Sequence, residues 1–309
     1  MSPGPSGPVA GFEHDCLVYS SAEGFLSGVG GFVRAGLADG AAVVVAEPRP
    51  RLELLRGDLG ADADAVTWLD MAEIGGNPAR IIDVWAGVLD DAVAAGRPLR
   101  GVGEPAFAGR RPAELVECAL LERLLDRAFW EGPAWQLLCP YDEAALPAAV
   151  CEQAVAGHAT GGSDDEDLAA FAAALPPPPG PVLRGEYGAG DVPAVRHTVR
   201  QWARSCGLQP EQVEALELAA SELATNGVRH GGGGGSLAMW VDTAPDQPAA
   251  VCELTDAGHL TEPLTGRLRP SPDAEGGGRG LYLVNQLCDL VQLRSSAAGT
   301  TARLLAWLP

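Results

Sequence analysis

Glutamate and asparagine stand four positions apart in the segment ELATNGVRHG, as Glu222 and Asn226. Residues four apart share one face of a helix, so a helix here would present a carboxylate and an amide oxygen side by side. Oxygen ligands of this kind suit Mg²⁺, which keeps several waters of its own. The carboxylate can also orient or deprotonate a hydroxyl that attacks a γ-phosphate. The same pair also occurs on ordinary solvated helices, so it carries weight only together with the segments that accompany it.

One further segment could hold a purine ring, and another leads into the last predicted strand. TDAGHL ends a predicted strand, where the carboxylate of Asp256 can accept the exocyclic amine of adenine and Gly258 lets the backbone approach the ring. Taken alone, this segment is more typical of a simple turn. AGTTARL forms a turn into the last predicted strand and contains Thr300. Each of the two segments is informative only together with the other segments of the same site.

A glycine-rich segment, GGGRGLYLV, leads into a predicted helix. Backbone amides around Gly278 and Gly280 can cradle phosphate at such a helix N-terminus, and Arg279 adds a positive charge there. The same glycines could serve as the hinge of a lid. A Walker A loop is excluded, because neither GKS nor GKT occurs in the chain.

The surrounding pattern predicts the elements that would position these residues. Apolar residues at helical spacing predict a helix from residue 210 to about 229, preceded by another from 191 to 206 and followed by a short one at 281–288. Strands are predicted at residues 237–241, 250–255, 290–294 and 301–307. This order predicts an α+β sandwich in which helices cover one face of a sheet.

The order and spacing of the four segments resemble the Bergerat ATP site of the GHKL ATPases, and within them the anti-sigma factor serine kinases of bacteria. The likeness covers roughly residues 183–309, and its short segment between Gly258 and Gly278 is similar to that of the serine kinases. One departure is visible, since Leu260 stands where the fuller pattern has a second glycine. The resemblance implies the following roles: Glu222 as catalytic base, Asn226 as Mg²⁺ ligand, Asp256, Gly258 and Thr300 near adenine, and Gly278 and Gly280 in the second glycine box.

The sequence pattern of residues 11–160 predicts an architecture different from that of residues 183–309. Predicted strands at 16–19, 41–46, 66–70, 99–103 and 135–139 alternate with predicted helices at 23–38, 49–59, 78–95, 112–130 and 147–158. Continuous apolar strands that alternate with helices indicate a doubly wound α/β domain with a parallel sheet. Ligands of such sheets bind beyond the carboxyl ends of the strands. Four acidic residues follow predicted strands there: Glu47, Asp70, Glu104 and Asp142.

The segments FEHDCLVYSS, LDMAEIGGNPARII, GEPAFAGRRPAEL and WQLLCPYD resemble the MEDS sensory domain over roughly residues 11–158. That family implies a RecA-like α/β module without a working phosphate loop, and SSAEGFLSGVGG after the first strand indeed lacks Lys followed by Ser or Thr.

Several residues of this first domain are candidate ligand contacts. His14, Asp15 and Cys16 could bind a metal or haem, and Cys16 could be redox-sensitive; a hydrogen-bonded structural histidine and a buried, inert thiol are the simpler interpretations. Glu104 and Arg110 could contact a small ligand that the sequence does not identify, or belong to a salt-bridged loop.

The segment GGSDDEDLAAFAAALPPPPGP, residues 161–181, combines glycines, an acidic run and four successive prolines. A proline run of this kind predicts a stiff spacer between two domains. The predicted organisation is a disordered N-terminus at residues 1–10, the sensory domain at 11–160, the linker at 161–181 and the ATPase domain at 182–309.

Net charge, hydrophobic runs and cysteine spacing argue against several classes of function. Lys and Arg number 21 against 41 Asp and Glu, a net charge of -20 that disfavours direct binding to nucleic acid or an anionic membrane. Without a signal peptide or a membrane-spanning apolar run, a cytoplasmic location is predicted. The seven cysteines are scattered without a CxxC pair, which argues against a disulfide framework or a structural zinc site.

The resemblance to the serine kinases implies an anti-sigma regulatory factor that binds ATP and Mg²⁺ and phosphorylates a serine of an antagonist protein, under control of the sensory domain. The resemblance implies a sigma factor and a STAS-type antagonist as partners, and a homodimer. A second hypothesis is a non-catalytic module whose nucleotide-dependent output is sequestration alone. A sensor histidine kinase is disfavoured, because a polyproline segment stands where an acceptor histidine on a helical hairpin would be required. No nucleophile and base in the first domain combine to indicate a separate enzyme.

Overall fold

The computed structural model describes residues 11–160, 164–244, 248–271 and 278–308. The N-terminus predicted to be disordered, residues 1–10, lies outside the described residues, as do residues 272–277 before Gly278. The chain divides into two compact units, one containing most of residues 11–160 and the other containing residues 165–308. The finer division at residues 161 and 182 stays a prediction.

The first unit is an α/β domain built on a five-stranded sheet. All of its strand pairs are parallel, in the order β1-β5-β4-β2-β3. Its strands are β1 (Phe12–Tyr19), β2 (Ala42–Glu47), β3 (Val66–Asp70), β4 (Leu99–Gly103) and β5 (Trp135–Asp142). Its helices are α1 (Ala22–Ala38), α2 (Arg49–Leu59), α3 (Met71–Ile74), α4 (Ile81–Ala94), α5 (Pro112–Phe129) and α6 (Ala148–Thr160), with 3-10 turns at Gly60–Ala65 and Pro78–Arg80.

Helices cover both faces of this sheet. Val43 and Val45 of β2 pack in one apolar cluster with Phe25 of α1 and Leu55 of α2. On the opposite face, the ring of Trp85 from α4 lies so close to β4 that a methyl group added at Gly101 would be 2.8 Å from it. The valine-rich strands are therefore buried on both faces, as continuous apolar runs require. The predicted doubly wound α/β architecture is confirmed.

The second unit is an α+β sandwich. Its sheet has five antiparallel strands in the order β6-β7-β8-β10-β9. The strands are β6 (Leu183–Gly188), β7 (Gly234–Asp242), β8 (Ala249–Asp256), β9 (Leu290–Ser296) and β10 (Gly299–Trp307), and the helices are α7 (Asp164–Ala172), α8 (Val192–Ser205), α9 (Pro210–His230) and α10 (Arg279–Leu287). The predicted layer architecture is confirmed, and β6 is a strand that the sequence pattern did not predict.

The long helix α9 organises this unit. Its buried residues include Val213, Leu216, Ala220 and Leu223, a helical repeat that turns one stripe toward the sheet. The buried carboxylate of Glu217 attaches α8 to the other side of α9, because it accepts hydrogen bonds from Arg196 and Arg200. Packing on two sides makes the last turns of α9 a rigid support for the side chains that they carry.

The segment before β6 packs within the second unit. Phe171 of α7 is only 1% exposed, and the carbonyl of Pro176 accepts a hydrogen bond of 2.9 Å from Arg303 of β10. Arg303 also pairs with Glu253 of the adjacent strand β8. This part of the predicted linker is therefore bonded to the sheet of the second unit at Arg303.

Within the described residues, every helix is too short or too polar to cross a membrane.

Candidate functional site

Glu222 and Asn226 lie one turn apart on α9, and both side chains are half-buried. The first turn of α10 packs directly on them. A methyl group added at Gly280 would lie 2.8 Å from Oε2 of Glu222 and 3.6 Å from Nδ2 of Asn226. The absence of a side chain at residue 280 therefore allows the carboxylate and the amide to reach the N-terminal end of α10.

The N-terminal end of α10 is suited to an anion. Gly278 precedes the helix with φ 102°, a left-handed conformation that favours glycine, and it has no side chain to cap the helix. The amide of Tyr282 donates 2.8 Å to the carbonyl of Gly278, which closes the first turn with Arg279 as its first residue. The first amides of a helix have no acceptor within it, and the helix dipole favours negative charge there. Potential Mg²⁺ ligands and phosphate donors thus meet at one place.

Asp256, the last residue of β8, lies beneath the end of α9. Its Oδ1 accepts a hydrogen bond of 2.7 Å from the amide of Gly258, whereas no described residue donates to its Oδ2. Burial raises the pKa of the Asp256 carboxyl, against the lowering effect of the Gly258 amide and of His230. Gly231, which follows α9, packs so closely on this carboxylate that any side chain at residue 231 would overlap it. One oxygen is therefore fixed in place while the other can receive an amine.

Thr300 joins the loop after Asp256 to the last hairpin. Its hydroxyl donates 2.8 Å to the carbonyl of Gly258 and lies 2.7 Å from the hydroxyl of Ser295. Because the Thr300 proton is engaged by Gly258, Ser295 must donate to Thr300, and it accepts 2.8 Å from the amide of Leu260. All non-glycine residues of the described part have negative φ, so Leu260 occupies the position of the absent glycine without backbone strain.

Tyr187 is a member of this region that sequence reasoning did not identify. It lies on β6, is 5% exposed, and its hydroxyl has no hydrogen-bond partner among the described residues. Burial and the neighbouring charge of Asp256 raise the pKa of Tyr187 to about 12. The signal was weak, because the strand LRGEYG contains two glycines and two charged side chains.

In the first unit, the candidate ligand residues predicted from the sequence do not form one site. His14 and Cys16 share one face of β1, and Asp15 points to the other side and is exposed. Burial raises the pKa of the half-buried Cys16 thiol. Arg110 is buried, and its guanidinium donates hydrogen bonds to three backbone carbonyls, those of Gly75, Gly76 and Pro105. These bonds hold two loops together.

Glu104 belongs to a buried acidic pair at the carboxyl ends of β2 and β4. Glu47 is 0% exposed and Glu104 is 1% exposed, and Tyr19 donates 3.2 Å to Oε1 of Glu104. Burial and the adjacent Glu104 raise the pKa of Glu47 well above its usual range, and burial likewise raises the pKa of Glu104. The chain leaves β2 toward β3 and returns to β4 on the other side of β2, so the pair lies at the switch point where such sheets bind ligands.

Comparison with protein families assigns both halves of the chain. Residues 13–159 match the family model of the MEDS domain, the methanogen/methylotroph DcmR sensory domain, and residues 188–305 match that of the histidine kinase-like ATPase domain. The chain therefore joins a MEDS domain to a histidine kinase-like ATPase domain. The two predicted resemblances are confirmed at the level of these domains.

No curated protein matches this chain. A solved structure, the RsbU and RsbW domains of Rv1364c from Mycobacterium tuberculosis, is 22% identical to it over an alignment that covers 42% of this chain and 34% of that chain. The TM-score of 0.31 is too low to show a common overall fold.

The acidic pair of the MEDS domain predicts a pH-dependent stability. A carboxyl whose pKa is raised on folding stabilises the folded state below its unfolded pKa of about 4.3, and this contribution is lost as the pH rises through the folded pKa. We therefore expect Glu47→Gln, which cannot ionise, to raise the melting temperature of the MEDS domain at pH 7–8 and to change it little near pH 4. Differential scanning calorimetry over this pH range measures both effects.

Glu143→Gln is the matched control, because Glu143 follows β5 and is exposed. It should leave the pH profile unchanged. A melting temperature that Glu47→Gln lowers equally at every pH would show that the pKa of Glu47 does not change on folding and would contradict the account.

Proposed function

We propose that this chain is an anti-sigma regulatory factor with ATP-dependent protein serine kinase activity, controlled by its MEDS domain. The observation that carries the proposal is the close packing of Gly280 on Glu222 and Asn226, which brings an acid and an amide to the anion-binding end of α10. This is the arrangement that phosphoryl transfer requires, since it depends on positioning and charge stabilisation.

The donor set fits ATP with Mg²⁺. Asn226 offers an amide oxygen to the metal, and the amides at the start of α10, with Arg279 beside them, offer donors to the phosphates. ATP would supply the phosphoryl group, and Mg²⁺ would neutralise phosphate charge. Glu222 would orient the hydroxyl of the acceptor serine and accept its proton.

The adenine end fits the same ligand. Oδ2 of Asp256 can accept the exocyclic amine of adenine, because Oδ1 is already held by the amide of Gly258. Thr300 and Ser295 fix the loop that carries Gly258. A guanine base presents a carbonyl oxygen at the corresponding position, which would face the carboxylate oxygen and be repelled. ATP is therefore the expected nucleotide.

The partners follow from the domain pair and from the charge. An acidic chain with a net charge of -20 disfavours direct contact with nucleic acid or an anionic membrane, so a role in transcription would act through proteins. We propose a sigma factor and a STAS-type antagonist as partners of a cytoplasmic homodimer. The buried pair of Glu47 and Glu104 marks the place where the sensory domain would receive a small ligand.

Phosphoryl transfer should depend on the carboxylate of Glu222. We expect Glu222→Gln to reduce phosphorylation of a STAS-type antagonist by about 100-fold or more, because general-base contributions are typically of this size. Binding of ATP should remain, since the amide keeps the shape of the side chain. Transfer of radiolabelled phosphate from ATP and equilibrium binding of ATP are measured on the same preparations.

Glu214→Gln serves as the control, because Glu214 is an exposed glutamate on the same helix. It should retain full activity. ATP binding without any phosphate transfer by the unaltered protein would reject the kinase and identify a nucleotide-dependent sequestering module.

Adenine recognition should depend on Asp256. Loss of a hydrogen bond to a charged group costs about 1.5–3 kcal/mol, so Asp256→Asn should weaken ATP binding by about tenfold or more. Unaltered protein should prefer ATP to GTP, and the variant should lose most of that preference. Displacement of a fluorescent ATP analogue by each nucleotide gives both affinities.

Asp242→Asn is a matched control. Asp242 ends β7 as Asp256 ends β8, and its Oδ1 likewise accepts a hydrogen bond from the amide two residues on, that of Ala244. Equal losses in the two variants would show that the effect is one of turn stability rather than of base recognition.

A further inference from the structure

Four potential metal ligands from four elements of the MEDS domain converge. They are His14 of β1, Glu122 of α5, Cys139 of β5 and His158 of α6, and their ligand atoms all lie within 4.8 Å of one another. The side chains of His14, Glu122 and His158 are 4%, 10% and 5% exposed, and Cys139 is buried. The group is therefore shielded from bulk water.

The outer nitrogens of both imidazole rings already have acceptors. Nδ1 of His158 lies 2.8 Å from the carbonyl oxygen of Ala154, and Nδ1 of His14 lies 3.1 Å from the carboxylate of Asp126. A carbonyl oxygen and a carboxylate only accept hydrogen bonds, so both Nδ1 atoms carry hydrogen. In the neutral rings, each Nε2 atom then presents a lone pair to the centre of the group.

These lone pairs face one another at short range. The two Nε2 atoms are 3.1 Å apart, and Nε2 of His14 is 3.1 Å from Oε2 of Glu122 and 3.3 Å from Sγ of Cys139. Nε2 of His158 is 3.3 Å from the same carboxylate oxygen. Protonating both rings would let each Nε2 donate to Oε2 of Glu122, but it would also place two positively charged imidazoles with their Nε2 atoms 3.1 Å apart. A cation at the centre would satisfy all four groups together.

The spacing matches a tetrahedral ion. Bonds of about 2.0–2.3 Å to nitrogen, oxygen and sulfur place the ligand atoms of a tetrahedral Zn²⁺ site about 3.3–3.7 Å apart. Four of the six ligand-atom pairs are 3.1–3.3 Å apart, slightly shorter than this, and the remaining pairs lie within 4.8 Å. The thiolate of Cys139 and the carboxylate of Glu122 would together neutralise the two positive charges of the ion, as a buried site requires.

We propose that His14, Glu122, Cys139 and His158 form a four-ligand site for a divalent transition-metal ion, and that Zn²⁺ is the ion that this donor set fits best. Two imidazoles, a thiolate and a carboxylate are ordinary ligands of Zn²⁺, and four protein ligands leave no open position for a substrate. Asp126 and the carbonyl of Ala154 accept from the Nδ1 atoms of the two histidine ligands and so orient the rings, as carboxylates and carbonyls commonly do for histidines that bind zinc.

The ion would connect residues that are up to 144 positions apart in the chain, since His14 and His158 belong to the first strand and the last helix of the domain. Binding of this kind stabilises the folded state by mass action. Removal of the ion should therefore increase amide hydrogen exchange in α6 and lower the melting temperature of the MEDS domain.

The test uses the full chain, stripped with a chelator and titrated with Co²⁺ as a spectroscopic substitute for Zn²⁺. We expect one Co²⁺ per chain, the visible absorption of a tetrahedral ion, a near-ultraviolet charge-transfer band from the Cys139 thiolate, and displacement by Zn²⁺. Absence of these bands at stoichiometric Co²⁺ would overturn the proposal and leave a cluster held by protons alone.

Single substitutions test which residues bind the metal. Cys139→Ser should abolish the charge-transfer band, and Asp126→Asn should weaken metal affinity by about 10–100-fold while leaving the band in place. Cys151→Ser is the matched control, because Cys151 lies on α6 with His158 but outside the ligand group. An unchanged band in Cys139→Ser would contradict the assignment. If that variant does not fold, X-ray absorption of the zinc-loaded wild-type protein decides, since a shell without sulfur excludes Cys139.

Discussion

The approach of α10 to α9 at Gly280 is the constraint on which the proposed nucleotide-binding centre depends. Glu222 and Asn226 become a site only because the start of a second helix lies against them, and a side chain at residue 280 would come within 2.8 Å of the Glu222 carboxylate. The rest of the ATPase domain serves this contact. The apolar stripe of α9 seats the helix on the sheet, and Glu217 ties α8 to its other side. At the other end, Gly231 lets the chain pass over Asp256.

In the second domain, charged and polar groups would lie beside the ligand groups of opposite charge that they are proposed to bind. The acidic residues that sequence reasoning assigned to the site lie where a cation or an amine would meet them, and the helix end beside them offers donors to an anion. The MEDS domain uses burial differently. Its two buried carboxyls at the switch point, Glu47 and Glu104, have raised pKa values, so a proton or a hydrogen-bonding ligand can stabilise them. A ligand that alters this balance would act on the element ends that surround it.

Much of this could be predicted from the sequence, because the signals are local. Helical spacing in α9 and apolar runs in β2 and β4 depend on neighbours within one element. The residues of the proposed ATP site were predicted for the same reason, since each lies in a short segment with its own glycine or turn chemistry. The strand β6 was missed, because LRGEYG is polar and contains two glycines, and its burial depends on pairing with β7.

The remaining features are set by contacts between distant residues. Tyr187 lies beside Asp256 only after β6, β7 and β8 have paired. The scattered cysteines argued against a zinc site, yet folding brings Cys139 to two histidines and a glutamate that share no local motif with it. Of the metal candidates His14, Asp15 and Cys16, only His14 joins that group. Asp15 lies outside the group because successive residues of β1 point to opposite faces. Cys16 shares the face of His14, and nothing in the structure explains why it is not part of the group.

The most direct test of the account is calorimetric titration of the full chain with a non-hydrolysable ATP analogue and Mg²⁺, with Gly280→Ala measured beside the unaltered protein. Alanine is the better helix former, so the substitution should not weaken α10 itself. The account predicts one saturable, Mg²⁺-dependent site per chain, and a loss of most of that affinity in Gly280→Ala. Equal binding by both proteins, or no binding by the unaltered chain, would contradict it.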